Sequence, residues 1–591
     1  MSPARPTRLV RLVHGLVAGP LLAGLEALCW QWPLLHGTTM RVDPAAPILA
    51  AGLYALAGGL GSLGGRTGIL VGLSVASAGG CMATGDPHDA ALRCLAAAGA
   101  TLIAAVLLRF TKVLIAAGVL GLSVPLWIPD DPALPGTPER PDVILVVLDT
   151  VAADRTSLHG APTDNTPNLQ ALADRGLDFR EAVATSPWTI PSHATLFTGA
   201  LPRETGCHFE RPLLDDRLPT TAELLAAQGY RTGLFAANPW LEPSTGLARG
   251  FEAVHSQSIY AASFWAYGVF RWVPESPFKG GPIVVREALH WLERAGDAPS
   301  LAVVNLMEAH APYHLVEEPG RFGVGDPVTA SERAFDAQTQ GWWATAFPAD
   351  EQEQTDAARV YAAAIAAVDA QLADLVQGLE ASGRRDRTWL IVTSDHGEAF
   401  GEHGVQGHLV GLWRELVHVP LVIVGPGLSP ARIPDVVSLQ AIHPTVLALA
   451  GLTPEAPALV PWPPEAATAA GLGWPATGPG VALSEQYRPE LMWAPGLWGA
   501  EAEGNRWDQY AVRARLHGQS LIVEAPADGG PERRHTELLP GDRGDTTDPR
   551  LDALIDQVRG RPDAAQGRED PALEAGLRER LQALGYMDHG G

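Results

Sequence analysis

Residues 388–398 have the sequence Thr-Trp-Leu-Ile-Val-Thr-Ser-Asp-His-Gly-Glu, an apolar run that ends in two adjacent side chains of metal-ligand type, Asp395 and His396. A second apolar run, at 143–148, is likewise followed by Asp149. In an open α/β sheet, ligands and catalytic groups collect beyond the carboxyl ends of the strands. Either aspartate alone is equally typical of a simple turn. The two runs together favour an enzyme with one shared metal site.

The chain beyond residue 141 alternates apolar runs with helical patterns. Strands are predicted at 143–149, 232–238, 301–307, 388–394 and 420–425, and helices at 165–175, 218–228, 283–294 and 355–382. Continuous apolar strands separated by helices predict an α/β fold with a doubly wound, mostly parallel sheet covered on both faces. An antiparallel hairpin predicted at 510–524 indicates a small C-terminal α+β subdomain. We therefore place a catalytic domain at 142–490 and the C-terminal subdomain at 491–591.

The first 128 residues predict an all-α membrane block of about five transmembrane helices. Apolar stretches run over 12–35, 46–64, 67–84, 91–108 and 113–128, and a span needs about 20 apolar residues. Basic residues favour the amino terminus and the loops after the second and fourth spans, which puts that side in the cytoplasm. Five spans then place the catalytic domain outside the cytoplasm of a bacterial-type inner membrane, whereas four spans would reverse this. A Pro-rich linker is predicted at 129–141.

Charge and cysteine content limit the partners of the part beyond the membrane block. The chain has a net charge of −24, with +4 in residues 1–128 and −28 in the remainder. Such an acidic region argues against nucleic acid as a direct partner. Cys207 is the one cysteine beyond residue 128, so an internal disulfide is excluded there and the domain must depend on its apolar core and metal.

A third segment, residues 186–199, has the sequence Ser-Pro-Trp-Thr-Ile-Pro-Ser-His-Ala-Thr-Leu-Phe-Thr-Gly. Pro191 suits a first helical turn, so Thr189 is predicted just before a helix N-terminus, where backbone N–H groups favour anions. A hydroxyl beside a divalent cation loses its proton more readily and can act as a nucleophile. A simple capping role for Thr189 stays open at this point, and Ser192 is interpreted as a helix cap.

Several motifs, in order along the chain, resemble those of the sulfatase family. Residues 189–199 resemble the signature Cys (or Ser)-x-Pro-x-Arg-x4-Thr-Gly, which carries the formylglycine nucleophile. Residues 148–155, 308–313 and 393–398 are similar to the opening metal motif, the central histidine motif and the second metal motif, and residues 401–404, 418–421 and 577–586 continue the similarity. The resemblance implies a sulfatase-like domain of the alkaline phosphatase superfamily over residues 142–590.

Three residues depart from the sulfatase pattern. Thr189 stands where sulfatases have the cysteine or serine that becomes formylglycine, and threonine cannot be converted to that group. His193 replaces an arginine, and Thr150 replaces the second opening aspartate. Within the superfamily, threonine is the nucleophile of phosphoethanolamine transferases and lipoteichoic-acid synthases. Those enzymes are also polytopic membrane proteins with a similar metal shell, although they usually have glutamate at the Asp149 position. The resemblance therefore implies chemistry on phosphate esters.

The resulting hypothesis assigns each candidate residue a role. One divalent metal ion is expected, with Zn²⁺ or Mn²⁺ favoured over Ca²⁺ or Mg²⁺. Thr189 would form a covalent intermediate, while His310 and His408 would hold substrate oxygens or protonate the leaving group. The predicted metal ligands are Asp149, Thr189, Asp395 and His396, and the candidate substrate contacts, which are equally consistent with structural roles, are His193, Asn238 and His403. Structural roles are predicted for His418, Tyr361 and Asp369.

The leading prediction is a membrane-anchored, metal-dependent hydrolase or transferase that acts on phosphate esters, with a lipid or glycan as a candidate substrate. The first alternative is a sulfatase that hydrolyses sulfate esters. The second is a catalytically inactive membrane protein whose metal-binding fold only recognises ligands. Metal content together with turnover of a generic phosphodiester separates this last alternative from the other two.

Overall fold

The computed structural model describes residues 140–256, 279–334, 351–454, 458–459, 481–486, 509–516, 519–526, 532–538 and 549–561, apart from gaps at 209–210, 312, 314–317, 328, 332, 405 and 409–410. All of these residues belong to one compact unit, Pro132–Met587. The predicted membrane block at 1–128 and most of the predicted linker, residues 129–139, lie outside the described residues.

Strands and helices alternate through the first part of this unit, as the apolar pattern predicts. The strands are β1 (Asp142–Leu148), β2 (Leu177–Val183), β3 (Arg231–Ala236), β4 (Ala253–Ser256), β5 (Ser300–Leu306), β6 (Thr388–Thr393), β7 (Ala399–Phe400), β8 (Gln406–Gly407), β9 (His418–Val424), β10 (Ala431–Ser438), β11 (Val481–Gln486), β12 (Gln509–Leu516), β13 (Gln519–Pro526) and β14 (Arg533–Leu538). The helices are α1 (Pro167–Ala173), α2 (Thr189–Thr198), α3 (Pro202–Thr205), α4 (Thr221–Ala226), α5 (Gly281–Ala295), α6 (Glu351–Ala381), α7 (Arg414–Val417), α8 (Ile442–Leu449) and α9 (Pro549–Arg559).

Eight strands form the central sheet, in the order β10-β2-β9-β6-β1-β5-β3-β4. Every neighbouring pair is parallel except those that β9 makes with β2 and β6. The central strands β1, β5 and β6 are buried along their whole length, as expected where helices cover both faces. The predicted α/β fold with a mostly parallel sheet is confirmed; the antiparallel direction of β9 and the strands β2, β4 and β10 were not predicted.

The register of the central strands brings three carboxyl ends to one edge. Val147 of β1 lies beside Asn305 of β5 on one side and Thr393 of β6 on the other. Asp149 follows β1 and Asp395 follows β6, so the two aspartates emerge next to each other. The parallel direction of these strands, rather than any local motif, therefore creates the site.

A second, antiparallel sheet has the order β11-β12-β13-β14. It contains the hairpin predicted at 510–524, since β12 and β13 pair antiparallel. Strand β11 also belongs to this sheet, although it precedes the predicted domain boundary at residue 490. Two side chains of the sheet hold the loop that follows His408: the amide oxygen of Gln486 accepts from Gly411 N at 2.6 Å, and an Arg513 guanidinium nitrogen donates to Leu412 O at 2.5 Å.

Helix α6 is the one helix among the described residues that is long and apolar enough to cross a membrane by length and composition. Its buried side chains, including Val360, Val368 and Leu372, belong to the core of the domain, which is the packing of a core helix. Asp369 of the same helix caps α1: its carboxylate accepts from Asn168 N at 3.0 Å and Leu169 N at 2.8 Å. The structural role predicted for Asp369 is confirmed.

We predict that Asp369→Ala lowers the free energy of unfolding by about 2–3 kcal/mol, because it leaves two backbone N–H groups of α1 without their acceptor. Chemical denaturation followed by tryptophan fluorescence measures the change. Asp374→Ala is the matched control, since Asp374 lies on the same helix but is exposed. Equal stability of the two variants would contradict the capping role.

Candidate active site

Two buried aspartates face each other at the carboxyl edge of the sheet. The candidate ligand atoms of Asp149, Asp395 and His396 all lie within 4.8 Å of one another, and all three residues are fully buried. Asp149 Oδ1 and Asp395 Oδ2 have no hydrogen-bond partner in the part of the chain that the structure describes. Buried carboxylate oxygens without a donor are costly unless a cation binds them. The three residues therefore fit a metal ion, as predicted from the sequence.

The electrostatics of this cluster disfavour two ionised carboxylates that have no compensating charge. Burial and the facing Asp395 carboxylate raise the pKa of Asp149, and burial also raises the pKa of Asp395. Burial and His408 lower the pKa of His396 to about 3. His396 is therefore neutral, and its Nδ1 lies 3.0 Å from Gly397 O. A carbonyl oxygen only accepts, so Nδ1 carries the proton and Nε2 presents its lone pair, as a metal ligand requires.

The other oxygen of each aspartate is held by neutral donors. Asp149 Oδ2 accepts from the side-chain amides of Asn238 at 2.8 Å and Asn305 at 2.9 Å. Asp395 Oδ1 accepts from the backbone N of Thr150 at 3.1 Å and of His396 at 3.0 Å. These donors orient the carboxylates without neutralising them. Asn238 also accepts from Trp240 N at 2.9 Å, so its polar atoms orient Asp149; a substrate role for Asn238 remains a prediction.

Thr150, at the position of the missing second carboxylate, uses its hydroxyl in a local hydrogen bond. Its hydroxyl donates to the carbonyl of Asp149 at 2.6 Å, and its φ of +64° is uncommon for a threonine. The Tyr361 hydroxyl donates to Thr150 O at 2.6 Å and accepts from Ala152 N at 3.0 Å. Tyr361 therefore supports the loop that follows β1, in agreement with its predicted structural role.

The predicted nucleophile lies against this cluster. Thr189 is the first residue of α2, with Pro191 in the first turn, and its Oγ1 is 3.4 Å from His396 Nε2. The Ser192 hydroxyl donates to Asp395 O at 2.6 Å. This bond joins α2 to the loop that contains Asp395. The Ser192 hydroxyl is used there and does not cap the helix, so the prediction that Ser192 is a helix cap was wrong. The helix thereby carries Thr189 to the edge of the aspartate pair.

His193 lies beside the same pair. Its Nδ1 is 2.9 Å from Thr189 O and 3.5 Å from Asp395 Oδ2. The carbonyl contact places the proton on Nδ1, and Nε2 is buried without a hydrogen-bond partner among the described residues. The structure therefore brings His193 into the site, where its substrate role remains a prediction.

His310 and His408 form a second group of buried imidazoles next to His396. The ring centroid of His408 lies 5.0 Å from that of His310 and 4.4 Å from that of His396. Burial and the neighbouring His408 hold the pKa of His310 well below its usual value. Burial alone would also lower the pKa of His408, but the Glu398 carboxylate, with Asp149 and Asp395 adding to it, raises that pKa above its usual value.

Glu398 explains this difference between the two rings. Its Oε1 accepts from His408 Nδ1 at 2.9 Å, and its Oε2 accepts from the Tyr313 hydroxyl at 3.0 Å. His310 Nδ1 lies instead 2.6 Å from Ala311 O. One ring therefore holds a proton that it can donate, while the other is neutral. Glu398 lies in the quoted Asp-His-Gly-Glu run, but its pairing with His408 was not predicted.

His403 and His418 lie away from the aspartate pair. The His403 ring stacks on the Trp413 ring, with 3.9 Å between the ring centroids. The His403 side chain is 40% exposed. A substrate role for His403 remains a prediction. His418 is buried, with Nδ1 3.1 Å from an Asp154 carboxylate oxygen and Nε2 2.9 Å from Arg180 O. The structural role predicted for His418 is confirmed.

Lys279 is a buried residue of this region that sequence analysis missed. Its ammonium donates to Glu308 O at 3.3 Å, and Glu308 precedes His310 by two residues. Burial lowers the pKa of Lys279 to about 7. The carboxylates of Glu308, Asp149 and Glu398 act in the opposite direction and raise this pKa, but by less. A signal was present in the sequence, because Lys279 is the single lysine in residues 129–591.

Residues 141–452 match the family model described as Sulfatase. The chain belongs to the sulfatase family. Its similar sequences include a choline-sulfatase of Rhizobium meliloti, 25% identical over 54% of this chain and 69% of that protein, and arylsulfatase K of Mus musculus, 25% identical over 53% and 61%. The chain thus spans less than two thirds of the length of the mouse relative.

Two phosphonate monoester hydrolases share the fold of this sulfatase-family protein. The structure from Agrobacterium radiobacter covers 76% of the chain and 96% of that protein, with a TM-score of 0.50 and 21% identity. The structure from Silicibacter pomeroyi covers 72% and 97%, with a TM-score of 0.52 and 18% identity. These structures support the alkaline phosphatase-like fold that the sequence motifs imply.

We predict that Zn²⁺ stabilises the chelator-stripped protein more at pH 8 than at pH 5.5. The folded metal-free state has raised pKa values at Asp149 and Asp395, so protons stabilise it at low pH and this contribution is lost as pH rises through those pKa values. Zn²⁺ then replaces the protons. His396 is neutral at both pH values, because its pKa is about 3, and does not alter the comparison.

Differential scanning fluorimetry at the two pH values, together with metal analysis, measures the increment in Tm. Asp149→Asn serves as the comparison variant, because it removes one of the two repelling charges. The increment in Tm that Zn²⁺ gives at pH 8 should then exceed the increment at pH 5.5 by less than in the unaltered protein. An increment in Tm that is the same at pH 5.5 and pH 8 would show that the two carboxylates do not hold the metal.

Proposed function

We propose that this protein is a metal-dependent hydrolase or transferase of phosphate esters that uses Thr189 as its nucleophile. The observation that carries the proposal is the position of Thr189 Oγ1, 3.4 Å from His396 Nε2 and beside two carboxylate oxygens that lack donors within the described structure. A threonine side chain cannot become formylglycine, so the unmodified hydroxyl has to act. Zn²⁺ or Mn²⁺ held by Asp149, Asp395, His396 and Thr189 would lower the pKa of that hydroxyl and screen the charge of the substrate.

In the first step the Thr189 hydroxyl, after releasing its proton to solvent, would form a bond from Oγ to phosphorus while the bond from phosphorus to the leaving oxygen breaks. The leaving oxygen departs with the electron pair and takes a proton from His408. This ring suits the role, because Glu398 holds its Nδ1 at 2.9 Å and raises its pKa, and because Nε2 has no hydrogen-bond partner among the described residues. The product of this step is a phospho-threonine at position 189.

The second step transfers the phosphoryl group to water or to an acceptor hydroxyl. The attacking oxygen forms the new bond to phosphorus, the bond to Thr189 Oγ breaks, and the proton of the attacking group moves to a neutral base. His310 suits the position of that base, since its pKa lies well below the usual value and the ring is therefore neutral. Microscopic reversibility makes His408, deprotonated by the first step, an equally suited acceptor of that proton.

Sulfate-ester hydrolysis is the second candidate reaction. The choline-sulfatase and arylsulfatase K relatives support it through their names. With Thr189 unmodified, the covalent sulfate intermediate has to be cleaved by attack of water at sulfur. That requirement is why we place phosphate esters first, with a lipid or glycan ester as the proposed substrate class and no nucleic acid.

We further propose that residues 1–128 anchor the enzyme in a bacterial-type inner membrane with the catalytic domain outside the cytoplasm. The apolar stretches and the distribution of arginines in the sequence support this proposal. The active site would then lie near outer-leaflet lipids.

We predict that full-length protein incubated with Zn²⁺ and a phosphodiester carries a phosphoryl-type mass adduct on the peptide that contains Thr189. Thr189→Ala should abolish the adduct and lower kcat by at least about 10³-fold, because it removes the oxygen that attacks phosphorus. Thr189→Ser should keep the adduct. Intact-mass spectrometry with peptide mapping gives the measurement, and a parallel incubation with an aryl sulfate distinguishes the two candidate reactions. Undiminished turnover by Thr189→Ala would show that Thr189 is not the nucleophile.

We also predict that a reporter fused after residue 591 indicates export of the carboxyl terminus. Alkaline phosphatase, which folds only outside the bacterial cytoplasm, should be active in this fusion, while a green fluorescent protein fusion should be dark. Deletion of residues 1–128 should release the protein from the membrane fraction. The reverse reporter pattern would indicate four spans and a cytoplasmic active site.

A further inference from the structure

The segment that begins α5 is pinned to the active-site edge by one carboxylate. Glu308 Oε1 accepts from the backbone N of Lys279 and of Gly281, both at 2.9 Å. In return, the Lys279 ammonium donates to Glu308 O at 3.3 Å. These three hydrogen bonds restrict the position of the Lys279 side chain. They tie Lys279 to the turn that carries His310.

Close packing restricts the segment further. A Cβ atom added at Gly281 would lie 1.9 Å from Gln371 Oε1 and 2.7 Å from Glu308 Oε1. Gly280 has a φ of +117°, a conformation that glycine adopts readily. Both glycines are therefore needed to bring the backbone of Lys279 this close to β5 and α6. The position of the Lys279 backbone is therefore restricted by these contacts.

Two of the three donors of the Lys279 ammonium have no acceptor among the residues that the structure describes. Lys279 is fully buried, and Glu308 O is the one hydrogen-bond acceptor for its Nζ within the described part of the chain. An ammonium group has three N–H donors, so two remain available. Burying a charged group without further partners is unfavourable. Such a group is well suited to receive an anionic oxygen from a ligand.

The charges around the site explain why another cation is needed there. Four buried carboxylates lie in this region, contributed by Asp149, Asp395, Glu308 and Glu398. The electrostatic influence of Lys279 reaches Asp149 and Glu398, and it also helps to lower the pKa of His310. The bond from the Lys279 ammonium to Glu308 O, two residues before His310, places this cation next to the segment that carries His310. An anionic ester entering among these carboxylates would be repelled without compensating positive charge.

We propose that Lys279 is a substrate-binding residue that donates hydrogen bonds to a non-bridging, anionic oxygen of the phosphate or sulfate ester. This inference rests on the proposed function, since it names how that site recognises its substrate. It assigns the lysine a role distinct from the metal ligands and from the proton donor His408. The charge-assisted contact strengthens as negative charge accumulates on the oxygen during transfer, so Lys279 contributes to both binding and rate.

Binding of inorganic phosphate to the Zn²⁺-loaded full-length protein tests the proposal without requiring turnover. Isothermal titration calorimetry compares the unaltered protein with Lys279→Met, Lys279→Arg and Arg286→Met. The last is the matched control, because Arg286 is an exposed cation on α5, the helix that begins two residues after Lys279. We expect Lys279→Met to weaken phosphate binding about 10- to 100-fold, the loss typical of a hydrogen bond to a charged group. Lys279→Arg should recover part of the loss, and Arg286→Met should bind like the unaltered protein.

Two further measurements separate substrate binding from a structural role. Zinc content and Tm should be the same in Lys279→Met and the unaltered protein, and kcat/KM for a phosphodiester should fall with an increase in KM. Phosphate binding that is unchanged in Lys279→Met would overturn the proposal, even if Thr189 proves to be the nucleophile. Loss of zinc or of folding in both Lys279 variants, with phosphate affinity per zinc-loaded molecule unchanged, would also overturn it and assign Lys279 to charge balance.

The same titration with inorganic sulfate identifies which ester the lysine serves. A larger effect of Lys279→Met on phosphate than on sulfate is expected, because the oxygens of phosphate are more basic than those of sulfate and accept stronger hydrogen bonds from a charged donor. The titration measures anion binding alone, so failure of Thr189 to form an adduct leaves its interpretation intact. If the zinc-loaded protein binds neither anion, the proposed role of Lys279 is excluded.

Discussion

The repulsion between two buried carboxylates, Asp149 and Asp395, is the constraint around which the catalytic region is arranged. Both are removed from water, and each keeps one oxygen that has no donor among the described residues. Desolvated like charges can be relieved by a proton, a cation or opposite charges nearby. The structure supplies neutral amide and backbone donors to their other oxygens, which orient the carboxylates but do not cancel their charge. The pair therefore retains a strong preference for a divalent cation.

The groups around this pair have different protonation states although they share the same buried environment. His396 and His310 have lowered pKa values, whereas the pairing of Glu398 with His408 raises the pKa of His408. A site that holds neutral and charged imidazoles side by side can combine metal binding, proton donation and proton acceptance. The loop after His408 is in turn held by Arg513 and Gln486 of the second sheet. That sheet therefore helps to position the proton donor.

Prediction from the sequence succeeded where a feature depends on residues that are close together in the chain. The apolar runs of β1 and β6 predicted buried strands, and the polar residues that end them predicted the metal ligands. Prediction failed where the partner comes from elsewhere in the chain. The role of Ser192 depends on Asp395, 203 residues later. The hydrogen bond from Asn238 to Asp149, 89 residues earlier, was not predicted either. No periodicity records such pairings, and the direction of β9 is likewise set by its neighbours in the sheet.

By itself, the sequence determined the α/β class, the five apolar strands β1, β3, β5, β6 and β9 with the helices between them, and the residue types available for metal binding, because hydrophobic periodicity and side-chain chemistry are local properties. The resemblance to sulfatases, together with Thr189 in place of a convertible residue, also came from the sequence. Only the tertiary structure decided which oxygens of the aspartates lack donors, which imidazole holds a proton, and that Lys279 lies next to the segment that carries His310. These properties depend on burial and on distances between residues far apart in the chain, and folding alone brings them together.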